Sequence, residues 1–323
     1  HKQIFLWYNA FMSSNITTLK PKEKGVAWIN IVNAQKAEIN YLRRKFKFNE
    51  LDLKDSFANQ YAQRPKFFQR SSYCFLVLQF PIYNKKTRNI EPEEIDFFIS
   101  RDSIITCHRN NLPIMIELSN LCSTEDFYCR QYLTSNVSFL YEVIVRLQES
   151  CFNLLDKISL DIKNIEQNIF AGHERRMVTD ILYAKRNILN FRKIMEAHKT
   201  VIQKITRNKV KYLPIEKYEI YYHNLIEHTK DIWGILDNQK ETIEALEDTN
   251  TSLLTFKLND IMRVLTIFSV IILPLTLLAS VFGMNTENGM PFINTPYGFW
   301  FIINIMAIAG LIMYWLFKRK RWL

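Results

Sequence analysis

Two stretches near the C-terminus, Val264 to Phe282 and Tyr297 to Phe317, contain no charged residue. A helix needs about 20 apolar residues to cross the hydrocarbon core of a bilayer, so each run is long enough. Buried helices of soluble domains seldom run this far without a charge, and the pair reads as a membrane hairpin. Backbone inside lipid must bond to itself, which makes both runs helices. Two helices cannot enclose a conduit alone, so any pore requires several copies around a symmetry axis.

The flanks set an expected orientation. Lys318, Arg319, Lys320 and Arg321 follow the second run and Arg263 precedes the first, whereas the connector carries only Glu287. Basic flanks concentrate on the cytoplasmic side. Both ends of a multi-pass protein of the cell's inner membrane, with the large N-terminal part, are therefore expected in the cytoplasm. The chain is expected to open with no apolar signal segment, Lys2 to Asn9 being a short apolar run of strand length. Of the net charge of +10, four units belong to the terminal basic run. The rest is spread without an aromatic-interleaved patch, so nucleic acid is not an expected partner. Five cysteines form no CxxC pair and read as reduced thiols. A zinc site using His108, Cys122 and Cys129 is the alternative.

The chain reads as an α+β membrane protein. Runs rich in β-branched and aromatic residues at Gln3 to Tyr8, Val26 to Val32, Tyr73 to Phe80, Ile95 to Ser100 and Ser103 to Cys107 predict a mixed sheet. They place an α/β domain in residues 1–130 and helical arms with a stalk in 131–262. Leu147, Cys151, Leu154, Ile158, Ile162, Ile165 and Ile169 form one apolar stripe, which Ala171-Gly172 ends. A second helix is expected from about Glu174 to Asn208. A third opens at Pro214, a residue suited to a helix start, and meets no further proline until Pro274. Its seam of Tyr218, Tyr222, Leu225, Thr229, Ile232, Leu236, Gln239, Ile243, Leu246, Asn250 and Leu253 repeats at about 3.5 residues. The polar seam positions predict neighbours around a wide or wet axis. The remaining divisions are a first span at 263–282 continuous with the stalk, an external loop at 283–296, a second span at 297–317 and a basic tail at 318–323.

One face of the first span carries Asn259, Met262, Thr266, Ser269, Leu273, Thr276 and Ser280 and ends at Gly283, while the other faces are largely Ile, Leu, Val and Phe. Small and hydroxyl side chains in a membrane helix serve close packing or face water in a pore. Pro274 frees a carbonyl one turn earlier, which a neighbour or pore water must satisfy. Neither span holds an acidic residue, so an intramembrane proton relay is absent and a passive channel fits better than a proton-coupled pump.

Asn259-Asp260-Ile261-Met262-Arg263-Val264-Leu265-Thr266, Pro274-Leu275-Thr276, Gly283-Met284-Asn285, Met290-Pro291, and the basic run closing on Trp322-Leu323 resemble the CorA family of magnesium channels. The order of α/β domain, helical arms and long stalk is also similar to that family. The resemblance implies a homopentamer in the lipid bilayer, with a funnel-shaped cytoplasmic region and a pore lined by the first span. Gly283, Met284 and Asn285 would form the filter at the outer mouth. A ring of Asn285 amide oxygens could accept hydrogen bonds from hydrated Mg2+, an ion that sheds water reluctantly. Met262 and Leu265 would form an apolar gate that closes by dewetting. Lys318 to Arg321 would form the basic collar, and Glu287 would attract cations. Phe292 replaces the family's Glu after Met-Pro. Asn224 stands where some members have a metal-sensing carboxylate, with Glu227 and Asp231 nearby as substitutes.

The expected function is a channel for Mg2+, admitting Co2+ or Ni2+, with the divalent ion as cargo and regulator and no organic cofactor. The rivals are a zinc transporter of the same superfamily, and a membrane-anchored scaffold or sensor that does not conduct. An enzyme is not expected, since no GxGxxG, P-loop, HExxH or nucleophile-elbow pattern occurs.

Overall fold

A computed structural model describes residues 15–22, 24–57, 64–208, 213–284, 291 and 297–320. They divide into two compact units, His1–Glu247 and Asp248–Leu323. The expected strand at Gln3 to Tyr8 lies outside the described residues.

In the first unit, β1 (Ile16–Leu19), β2 (Ala27–Val32), β3 (Lys66–Gln69), β4 (Cys74–Asn84), β5 (Asn89–Ile99) and β6 (Ser103–His108) form one sheet in the order β1-β2-β6-β5-β4-β3. Among the described residues, only β2 and β6 pair in parallel. The central hairpin is longer than its apolar runs suggest, because β4 and β5 stay paired out to Asn84 opposite Asn89. Asn84 closes it, its Oδ1 accepting from the Lys86 amide at 3.0 Å, and Arg88 takes the left-handed conformation at φ 56°. Side-chain capping of this kind lets a turn form without glycine.

Both faces of the sheet are covered. Helices α1 (Lys36–Phe46) and α2 (Glu50–Ser56) close one face through a cluster that includes Leu42, Phe48, Leu53, Phe75, Phe98 and Cys107. Next come α3 (Pro113–Thr124), α4 (Asp126–Tyr132) and α5 (Asn136–Phe170). Phe139 of α5 sits 4.7 Å from the Trp28 ring on the other face. Trp28 donates its Nε1–H to Thr106 Oγ1 at 2.8 Å, so its one polar atom is satisfied in the core.

Ser135 caps α5, its Oγ accepting from the Ser138 amide at 3.1 Å, and Gly172 ends the turn after it at φ 90°. The buried stripe of α5 runs through Leu155, with Leu154 half-buried beside it. The predicted second helix is two, α6 (Glu174–Met195) and α7 (His198–Arg207). The break coincides with His198, which is fully buried and held by the Gln79 carbonyl of β4. After a short 3-10 turn at Ile215–Tyr218, α8 runs unbroken over Glu219–Phe282. Most of its seam is buried, and of its polar positions Thr229 and Gln239 are engaged within the chain, while Asn250 is buried with its Oδ1 unpartnered. Gln148 of α5 donates to Leu225 O at 3.1 Å and Thr229 Oγ1 at 2.9 Å. Reciprocally, Gln239 donates to Leu155 O at 2.8 Å and Ser159 Oγ at 2.9 Å. The expectation that these residues face a wet axis is corrected at both, because α5 supplies their partners.

The second unit holds the C-terminal part of α8 and α9 (Gly298–Arg319), each apolar enough and long enough to cross a membrane.

Candidate pore-lining face and basic end

The membrane-length part of α8 has two opposite stripes. Ile267 is buried and Ile271, Leu275, Leu278 and Phe282 are half-buried. This side meets α9, where Leu275 Cδ1 lies 3.8 Å from the point a Cβ would occupy on Gly310. Ile302, Met306, Ala309, Met313 and Phe317 form the half-buried side of α9. At about 100° per residue, the stripe of Asn259, Met262, Thr266, Ser269, Leu273, Thr276, Ser280 and Gly283 lies about 180° from the α9-facing stripe. All eight residues are exposed within the chain, Met262 at 52% and Leu273 at 68%. Leu265 is exposed on the flank of the same face.

Three hydroxyls on this face share one geometry. Thr266 donates to Met262 O at 2.7 Å, Ser269 to Leu265 O at 2.9 Å and Thr276 to Ile272 O at 3.0 Å. Each proton is spent on the helix's own carbonyl, so the oxygen turns lone pairs outward. Such a face can accept hydrogen bonds from a cation's water shell. Pro274 sits inside α8 without ending it.

Gly283 closes the last turn, its amide donating to Ala279 O at 2.9 Å. A Cβ there would lie 3.1 Å from that same oxygen, which is tighter than a side chain accepts without a shift. Met284 follows, 58% exposed, with its amide on Val281 O at 3.3 Å. Asn285, Glu287 and Arg321 lie outside the described residues. Lys318, Arg319 and Lys320 are exposed at the C-terminal end of α9, where cations offset the helix dipole. The Arg319 guanidinium also covers the Trp315 ring at 5.4 Å.

Asn224 and Asp231 are exposed on α8. Glu227 is engaged by its own chain: Lys230 Nζ stands 2.7 Å away and His223 Nε2 3.4 Å away. The bond from Lys230 holds its carboxyl below the usual range. Among the described residues, no three His, Cys, Asp or Glu side chains converge as a metal site. The zinc alternative therefore falls away for His108, Cys122 and Cys129. The ring nitrogens of His108 face Asn30 Oδ1 and the Arg109 carbonyl instead. All five cysteines are free and buried.

An α/β unit joined by sequence to two membrane-length helices, one with a stripe rich in hydroxyl side chains, defines a two-span membrane protein. A family profile described as CorA-like Mg2+ transporter protein matches residues 23–319. The chain belongs to that family of divalent-cation transporters. It is 25% identical to the cobalt/magnesium transport protein CorA of Thermotoga maritima, over 98% of this chain and 89% of that one. It is 23% identical to the protein of the same name from Methanocaldococcus jannaschii, over 92% of this chain and 91% of that one. The complete structure of the CorA magnesium transporter from Methanocaldococcus jannaschii superposes with a TM-score of 0.81 at 18% identity, covering 97% of this chain and all of that one. At that identity the superposition establishes the fold.

Proposed function

We propose that the chain forms a Mg2+ channel in which several copies, five by the family resemblance, surround a pore lined by α8. The observation that carries this reading is the pair of opposed stripes. With α9 packed on one side of α8, the side bearing Asn259, Thr266, Ser269, Thr276 and Ser280 is the one left to face an axis. A ring of hydroxyl and amide oxygens offers Mg2+ a replacement for outer-sphere water while leaving its inner shell intact. Met262 and Leu265, at the other end of the span from Gly283, are the apolar constriction. Gly283, Met284 and Asn285 form the outer filter, with Glu287 as the acidic attraction beside it. Lys318, Arg319, Lys320 and Arg321 form the inner basic collar.

On this reading, residues 1–130 and 131–262 are the cytoplasmic domain and its arms and stalk. Residues 263–282 and 297–317 are the spans, 283–296 the outer loop and 318–323 the cytoplasmic tail, in an inner membrane. Asn224, Glu227 and Asp231 are the regulatory Mg2+ positions on this reading, and Mg2+ there must compete with Lys230 for Glu227.

Purified protein in liposomes tests the transport reading through an entrapped Mg2+ dye. Mg2+ entry that follows the membrane potential, and is lost in Asn285→Ala, is the expected result. Zinc entry driven by a proton gradient, without Mg2+ entry, would replace it with the zinc-transporter reading.

A further inference from the structure

Asp96 lies in the middle of β5, opposite Val77 of β4 and Cys107 of β6. Directly paired residues and alternate residues along a strand share a face, so Asp96 points the same way as Phe98 and Cys107. That is the apolar layer closed by α1 and α2. It is 1% exposed, and its Oδ1 has no hydrogen-bond partner. Ser56, the last residue of α2, has a buried Oγ that faces both the Asp96 carboxyl and the Cys107 thiol.

The charges around Asp96 do not offset a carboxylate. Glu94 stands two residues earlier on the same face of β5, Asp55 faces it from α2, and the uncharged thiol of Cys107 faces it from β6. The one cation facing it among the described residues is Lys66 of β3. That ammonium is bound to Asp55 Oδ2 at 2.5 Å. The contrast with Asp52, also 1% exposed, is direct. Asp52 receives hydrogen bonds from Arg70 Nε at 2.9 Å, Arg70 Nη2 and the Tyr73 hydroxyl. Two side chains, one of them a guanidinium, donate to Asp52, whereas no donor reaches Asp96 Oδ1.

We propose that Asp96 is a proton-binding site through which pH controls the seating of α2 on the sheet. Protonated, the carboxyl is neutral, fits the apolar layer and has an O–H to offer Ser56. Ionised, it is a buried charge beside two other carboxylates, and the least disruptive relief is for α2 to lift and admit water. Burial, with Glu94 adding to it, pushes this carboxyl well above the usual Asp range, against the smaller opposing influence of Ser56 and Lys66. A raised folded value means that the stabilisation is present in full below an unfolded value of about 4 and has been lost once pH has risen through the folded value.

The test is hydrogen–deuterium exchange of peptides covering residues 50–56 in the full-length protein, from about pH 5 to about pH 9, corrected for intrinsic rates. Wild-type protection should fall several-fold as pH rises, while protection in α5 stays level. Asp96→Asn removes the charge at constant shape and should give a flat profile, at least as protected as wild type at the alkaline end. Protection of α2 that does not change with pH in wild type, or that falls equally in Asp96→Asn, overturns the proposal. Should Asp96→Asn not fold, the wild-type profile decides.

Discussion

Gln148→Leu and Gln148→Ala should differ sharply, although both remove the same amide. Gln148 is fully buried between α5 and α8, donates two hydrogen bonds and leaves its Oε1 unpartnered. Each donated bond contributes about 1 kcal/mol net, and a buried orphan acceptor costs about 1–3 kcal/mol. Leucine loses both bonds but removes the orphan as well. Its partners remain satisfied, because Thr229 Oγ1 still donates to Leu225 O at 2.8 Å. The balance for leucine is therefore within about 1 kcal/mol of zero. Alanine adds an unfilled cavity and should cost about 2–4 kcal/mol. Exchange protection of α5 and α8 amides in detergent-solubilised full-length protein reads both values as opening free energies. A leucine variant as destabilised as the alanine variant would refute the reasoning, and would assign the Gln148 bonds far more than their usual net value.

His198, fully buried with Nε2 on the Gln79 carbonyl, has its pKa lowered to about 4, mainly by burial. A lowered histidine value means stability is intact above the unfolded value of about 6.5 and is lost as pH falls toward the folded one. Denaturant midpoints should therefore slope downward across that window, and His198→Gln should flatten the slope. Gly310→Leu places a large side chain against Leu275 at the α8–α9 contact. Overpacking of this kind costs about 1–3 kcal/mol, so the variant should dissociate or aggregate at lower temperature in detergent, and an unchanged transition would count against that packing. Gly283→Ala forces its Cβ against Ala279 O, 3.1 Å away. It should lower Mg2+ flux several-fold while the exchange pattern of the α/β unit stays as in wild type.

The two membrane helices were legible because absence of charge over a bilayer-length run has few other causes. Their polar stripe was legible because helical spacing maps directly onto a face. Which face meets α9 was not, since Ile267, Ile271 and Leu275 resemble every other apolar residue of the span. The central strands were found from β-branched and aromatic runs. The edge strands Ile16–Leu19 and Lys66–Gln69 leave no such run, being four residues each with half their positions polar. The seam of α8 was located correctly, but a sequence period cannot say which helix fills it. Gln148 gave no signal because a lone glutamine in an apolar stripe looks like a solvated position. Asp96 gives no signal for a related reason: in an alternating strand, an acid reads as outward-facing until both sheet faces prove to be covered.

The central claim is that the stripe on α8 faces water while the opposite stripe does not. Single cysteines at Ser269, Thr276 and Ser280, and at Ile271, Leu275 and Leu278, can be exposed to a membrane-impermeant thiol reagent during Mg2+ flux. The account predicts rapid modification and loss of flux at the first three, slowed by saturating Mg2+, and neither modification nor loss at the second three. Equal reactivity of both sets, or reaction at the first set without effect on flux, would contradict it.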